Sequence, residues 1–169
     1  MPPEAPATTA DAYKAAFRGH PAGVAVITAE GPDGPTGLTA SSVASVAVDP
    51  PVLVFSLSTK SGSAGVVLGA DVFVVHLVDS LSVGLAKRFA ATGSPAADDP
   101  MWGTLPSGER YLPGAATALR CRPRSTTEIG SSTVVVAEVL DIVVGQAHGE
   151  PLVYHNREFH SLSERSRLS

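Results

Sequence analysis

The feature that most constrains this chain is the way its apolar runs are cut short. Valine- and isoleucine-rich stretches recur along it, and most end in glycine or proline before a helical pattern can build. Such runs read as strands, and the punctuation between them reads as turns. Gly23-Val24-Ala25-Val26-Ile27-Thr28 is the first. Gly31-Pro32-Asp33-Gly34-Pro35 then supplies turn chemistry, and a second strand over residues 36–41 completes a hairpin. Residues 43–48 form a third extended segment, ended by Asp49-Pro50-Pro51. Val52-Leu53-Val54-Phe55-Ser56-Leu57 is almost continuously apolar, which predicts burial on both faces. Further strands are expected over residues 71–78, 116–121, 125–129 and 134–144. Leu152-Val153-Tyr154 and Glu158-Phe159-His160 predict a closing hairpin around Asn156-Arg157.

Helical patterns are few and short. Thr8 or Thr9 is placed to cap a helix with Ala10, Tyr13 and Phe17 at helical spacing and Gly19 as its stop. Residues 61–69 form a second candidate, weakened by two internal glycines. Ser80 is expected to cap a third, carrying Leu81, Leu85, Arg88 and Phe89, with Gly93 beyond its end. Residues 93–110 are loop-like and hold the only tryptophan, Trp102. A loop this long inside a compact domain is commonly functional. Strands dominate, and they do not alternate regularly with helices. A mainly β, antiparallel barrel with two or three peripheral helices fits, because closure removes exposed strand edges. The length, 169 residues, suits one domain. Residues 1–7, with three prolines, are expected to be a flexible arm, residues 8–163 the domain, and residues 164–169 a polar tail.

Composition removes several classes of function. Twelve Lys and Arg against 16 Asp and Glu leave a net charge of −4, which argues against a nucleic-acid partner. No run of 18 apolar residues occurs, so no membrane-spanning helix is expected. The first ten residues lack the basic and apolar regions of a signal peptide. One cysteine, Cys121, excludes an internal disulfide and fits a reducing, cytoplasmic setting. The five histidines fall at no metal-binding spacing, so no metal is expected. His76 sits within an apolar strand and reads as a core or ligand-lining residue.

Two hydroxyl clusters carry the chemistry. Gly37-Leu38-Thr39-Ala40-Ser41-Ser42-Val43 has small residues where a sheet would carry bulk. Small side chains admit a flat ligand, and hydroxyls and free N–H groups can bond its polar edge. The plainer account is a serine-rich turn whose hydroxyls are satisfied locally. Ser56-Leu57-Ser58-Thr59-Lys60-Ser61 lies between a buried strand and a helix start. It suits a phosphate cradle, or an ordinary cap beside a solvated lysine. Lys87-Arg88-Phe89 near a helix end either complements the dipole or reaches a phosphate and borders a ring.

In their order and spacing these segments resemble the flavin reductase family with the FMN-binding split barrel, the short-chain reductase component of two-component flavin monooxygenases. The resemblance spans residues 12 to 163 and adds Phe73-Val74-Val75-His76-Leu77, Leu85-Ala86-Lys87-Arg88-Phe89-Ala90, Trp102-Gly103 and Pro151-Leu152-Val153-Tyr154 with Phe159. It implies a Greek-key antiparallel split barrel and a homodimer with flavin at the subunit interface. It implies FMN or FAD, reduced by hydride transfer from NADH or NADPH, with the reduced flavin passed to a partner oxygenase. Carried onto this chain, Leu38, Thr39, Ala40, Ser41 and Ser42 would line the isoalloxazine. Ser56, Ser58, Thr59, Lys60 and Ser61 would hold ribityl and phosphate groups. Lys87, Arg88 and Phe89 would close the site. No acid–base triad is required, because the flavin accepts the hydride.

One departure stands out. Many reductases of the family carry Gly-Asp-His in the turn after the cysteine strand, on the nicotinamide side of the pocket. Here the nicotinamide-side residues are Gly130, Ser131 and Ser132. A lost imidazole favours two alternatives: a flavin-binding protein without efficient NAD(P)H turnover, or an oxidoreductase that retains its flavin and acts on a small organic molecule. In the second, residues 93–110 would form a lid. Restoring the triplet with Ser131→Asp and Ser132→His is expected to raise NADH turnover. An intact double variant with no gain would mean that the turn does not limit the reaction.

Overall fold

The computed structural model describes residues 8–169 apart from 59, 61, 92, 93 and 147. The strands are β1 (Ala22–Gly23), β2 (Ala25–Gly31), β3 (Gly34–Ala40), β4 (Ala44–Val48), β5 (Pro51–Leu57), β6 (Phe73–Leu77), β7 (Gly103–Thr104), β8 (Arg110–Tyr111), β9 (Thr117–Ile129), β10 (Ser132–Val144), β11 (Leu152–His155) and β12 (Glu158–Ser161). The helices are α1 (Thr9–Arg18), α2 (Gly62–Gly69) and α3 (Val83–Ala90). Seven strands form one sheet in the order β3-β2-β6-β9-β10-β5-β4, and every pairing in it is antiparallel. A three-stranded sheet, β1-β11-β12, and the β7-β8 hairpin complete it. This is an antiparallel split barrel, open between β3 and β4.

The inner face of the seven-stranded sheet is filled by Ile27, Leu53, Phe55, Leu57, Phe73, Val75, Cys121 and Val135, with Ala64 and Val67 of α2 laid against them. Phe55 and Phe73 meet edge to face at 5.4 Å. Val52–Leu57 is therefore buried mainly through one face, and Ser56 is exposed. A second cluster, with Val24, Val26, Ala86, Phe89, Leu112 and Leu152, lies under α3 and the β11-β12 hairpin. Cys121 is buried and free, and burial pushes its thiol up to about 12.

The largest departure from expectation is β9. Two strands are expected, over residues 116–121 and 125–129, yet one strand runs through both and through Pro123. Its pairing shifts between Val136 opposite Ser125 and Ala137 opposite Pro123, which leaves Arg124 as an extra residue. A bulge absorbs the missing N–H of a proline. Ser80 does not cap the third helix. The side chain of Asp79 accepts from the Leu81 and Ser82 N–H groups at 3.0 and 3.1 Å, capping a short 3-10 turn that leads into α3. Its other oxygen accepts from Gly149 N–H at 2.6 Å, which ties the turn to the chain before β11.

Residues 94–110 are packed onto the barrel. Leu105 is buried, β7 and β8 form a hairpin, and Arg120 of β9 donates twice to Glu109 at 2.9 and 2.7 Å. That bond holds the Glu109 carboxyl down at about 2, against the opposing effect of burial. At the other end Ser94 bonds Thr36 at 2.6 Å.

His76 pins the middle. Its Nε2 accepts from Leu112 N–H at 3.0 Å, which leaves Nδ1 to donate to the Val26 carbonyl, also at 3.0 Å. The fully buried imidazole links two strands of the sheet to the segment after β8. Burial lowers its pKa from 6.5 to about 4, only partly offset by the Val26 bond. The unfolded chain therefore takes up this proton first as pH falls. Stability contributed by neutral His76 is complete above about pH 6.5 and is lost between there and pH 4, about 3 kcal/mol in all. Urea titrations from pH 7 to 4.5 are expected to show a steeper fall for the native chain than for His76→Gln. Parallel slopes would mean that His76 is not the group responsible.

Candidate functional site

The split in the sheet is where the first hydroxyl cluster lies. β3 ends at Ala40 and β4 begins at Ala44, so Ser41, Ser42 and Val43 carry the chain across the gap. The Ser42 hydroxyl donates to the Ser56 carbonyl and accepts the Ser56 N–H, each at 3.0 Å. It thus takes the place of a strand neighbour for β5 just where β4 has not yet begun. Thr39 donates its hydroxyl to the Ala86 carbonyl of α3 at 2.6 Å, fixing β3 to that helix. Ser41 is exposed and, among the described residues, has no side-chain hydrogen bond.

Two clefts meet at this junction and share Thr39, Ala40 and Ser41. One, of about 380 Å³, runs from Leu38 along the turn to Ser56, Leu57, Ser58 and Ala64. The other, of about 240 Å³, is walled by Val24, Ala90, Tyr154, Arg157 and Phe159. Tyr154 and Phe159 lie tilted at 5.2 Å, giving this cleft an aromatic wall. Small residues on one side and aromatic or aliphatic ones on the other make a slot for a flat heteroaromatic ring. Ser41 and the backbone of residues 41–43 can bond its polar edge. A flavin fits this donor set: hydroxyl and amide groups and one guanidinium, Arg157, around an apolar slot, with no carboxylate among the described residues of either wall.

The expected site residues divide. Leu38, Thr39, Ala40, Ser41, Ser42, Ser56 and Ser58 come together in the larger cleft. Lys60 turns elsewhere, pairing with the Glu128 carboxylate near the end of β9. Thr59 and Ser61 lie outside the described residues. Phe89 does not border the slot. It is buried beneath α3 and meets Trp102 edge to face at 5.7 Å, because the apolar face of a short amphipathic helix turns inward. Lys87 and Arg88 are exposed and line neither cleft, whereas Ala90 of the same helix does. Gly130 and Ser131 form the two-residue turn between β9 and β10, and Gly130 takes φ +59°. Ser132 follows in β10, beside the strand end that leads to Ser58.

A family model described as a flavin reductase like domain matches residues 17–163. The chain belongs to this family. It is 33% identical over 152 residues to an NADH:FMN oxidoreductase of Rhodococcus qingshengii, covering 88% of this chain and 79% of that protein. It is 31% identical over 153 residues to an FMN reductase (NADH), SmoA, of Agrobacterium fabrum, covering 90% and 86%. Among solved structures, a flavin reductase domain protein from an Arthrobacter species superposes with a TM-score of 0.82 at 31% identity, covering 90% of this chain and 94% of that one. The resemblance in the sequence and the split-barrel architecture are thus both correct for the family.

Membership in the family leaves the individual residues to be read from this chain. Sequence reasoning missed Val24, Ala90, Tyr154, Arg157 and Phe159 as walls of the slot. The signal was the closing hairpin itself, whose Tyr and Phe alternate onto one side. It also missed Gly65, where a Cβ would run into the Lys60 carbonyl. The glycine that weakens α2 as a helix is what lets the Lys60 backbone lie against it.

The two serines should separate on mutation. Ser42→Ala removes both bonds to Ser56 and is expected to cost about 1 kcal/mol of stability. Ser41→Leu is expected to leave stability nearly unchanged while weakening FMN binding about tenfold or more, by filling the slot. Flavin fluorescence titration with thermal unfolding checks both, and an undiminished FMN affinity in Ser41→Leu would move the ring elsewhere.

Proposed function

We propose that this chain is an NAD(P)H:flavin oxidoreductase that reduces FMN or FAD and releases the product. The observation that carries it is the slot at the split of the barrel, in a chain that belongs to the flavin reductase family. The Rhodococcus and Agrobacterium relatives, whose names state NADH and FMN, support the same choice of substrates. Flavin, when bound, supplies the hydride-accepting chemistry. The chain's own residues supply position. Ala40 and Ser41 let the ring approach the backbone, Tyr154 and Phe159 close the slot, and the Thr39 and Ser42 bonds fix the wall.

A homodimer belongs to this reading. All five residues of β4 are exposed, with Val46 and Val48 56% and 87% accessible at the open edge of the sheet. Tyr13 and Phe17 of α1 stack at 4.6 Å and are 62% and 58% accessible. An uncovered apolar edge beside an uncovered aromatic helix face suits a second copy. The recipient of the reduced flavin is proposed to be a separate oxygenase. The proposed location is the cytoplasm, where Cys121 stays reduced. No helix among the described residues is long and apolar enough to cross a membrane.

The test is loss of absorbance at 340 nm with NADH or NADPH and added FMN or FAD. The expected result is turnover that saturates with flavin, with a KM for each substrate. Turnover independent of added flavin would favour a retained cofactor. Flavin binding without turnover would favour a carrier.

A further inference from the structure

Next to the flavin slot lies a larger groove of about 960 Å³, between α1, β1, the Ser41–Ser42 junction and the closing hairpin. Its walls hold Lys14, Arg18, His20, His155 and Arg157, and no carboxylate. Among the described residues none of Lys14, Arg18 and Arg157 has an ion-pair partner. In a chain of net charge −4, an acid-free groove with three unpaired cations is a concentration of positive potential.

Arg157 is the residue that the fold does not account for. It is the second residue of the two-residue turn between β11 and β12, with Asn156 at φ 51° and Arg157 at φ 66°. Turns of this kind favour Asn followed by Gly, because a Cβ is strained at positive φ. Here Asn is present and the position of the glycine holds an arginine with no ion-pair partner among the described residues. A strained residue maintained at the rim of a cleft points to function. Arg157 also lines both the flavin slot and the basic groove, so it stands where the two meet. The Asn156 N–H donates to the Arg18 carbonyl at 3.0 Å, which holds the turn and the end of α1 on one wall.

We infer that Arg157, flanked by Arg18 and Lys14, binds the phosphate groups of the dinucleotide substrate and so sets its affinity. This rests on the reductase reading above. The flavin phosphate and the dinucleotide diphosphate share the same chemistry. Ser58 lines the slot and not the groove, Arg157 lines the groove and not that cleft, and Ser56 lies on both; the Ser58 end is assigned to the flavin and the basic groove to the second nucleotide. An arginine fork suits such an anion better than a point charge.

The test is Arg157→Gly beside Arg157→Lys, by steady-state kinetics and thermal unfolding. Glycine relieves the turn, so Tm is expected to rise by about 2 °C. Over the same change, KM for NADH is expected to rise about tenfold, several times more than any rise in KM for FMN. Arg157→Lys should recover part of the NADH affinity. A purely structural arginine would lower Tm as KM rises, so a fall in Tm overturns the inference. An unchanged KM for NADH overturns it too, and a rise in KM for FMN instead assigns the contact to the flavin. If the native chain oxidises no NADH, the reductase reading fails on its own. Calorimetric binding of ADP to the native chain and to Arg157→Gly then decides the phosphate site, with equal affinities counting against it.

Discussion

The architecture depends on three residues. β3 and β4 are consecutive in sequence but sit at opposite edges of a seven-stranded sheet. Laid flat, seven strands about 4.8 Å apart put those edges about 29 Å from each other. The chain from Ala40 to Ala44 spans at most about 14 Å. The sheet must therefore curl until its edges nearly meet, and Ser41-Ser42-Val43 is the strap that sets the remaining gap. The gap cannot close by ordinary pairing, because the strap crosses it. Backbone groups at the end of β5 are left without a strand beside them, and Ser42 supplies the missing partner from its side chain. The slot for a flat ligand is what is left when a barrel is held just short of closure.

The hydroxyl-rich motif therefore does two things at once. Thr39 and Ser42 satisfy backbone groups of α3 and β5, which is the plain account of a serine-rich turn. Ser41, between them in space and in sequence, has its hydroxyl uncommitted among the described residues. The motif is small because a ring must come close, and polar because the split exposes backbone. Neither requirement alone would produce this run of residues. Gly37, two residues before Thr39 in β3, shows the same pressure from the other side: a Cβ there would sit 2.8 Å from the Ile27 carbonyl and 3.0 Å from the Phe89 ring. α3 can lie close on the sheet, and offer its Ala86 carbonyl to Thr39, only because position 37 carries no side chain.

Much of this was legible in the sequence. Period-2 and β-branched runs marked β2, β3, β5, β6, β10 and the closing hairpin, and Thr8 and Gly19 bounded α1 as expected. What was not legible depended on partners far along the chain. Residues 116–121 and 125–129 read as two strands because the bulge that joins them at Pro123 is a property of two paired strands together. Ser80 looked like a cap because its neighbour Asp79 owes its burial to Gly149, seventy residues away. Phe89 looked like a pocket wall because periodicity gives a helix an apolar face without saying which space that face fills. The slot's second wall came from the chain's last hairpin, which no local pattern connects to residues 39–41.

The two tight hairpin turns make opposite statements about where the fold ends and function begins. At Gly130-Ser131 the geometry demands only the glycine, which takes positive φ at the first turn position. Ser131 and Ser132 are free to vary without cost to the turn, so the absence of the family's Asp and His there says nothing about folding and bears only on chemistry. At Asn156-Arg157 the geometry would accept glycine gladly, and the chain carries arginine instead. The strain at Asn156-Arg157 therefore needs a source outside the turn, and the rim of the slot supplies one: the guanidinium stands where the slot and the basic groove meet, and on the inference above it holds one substrate there.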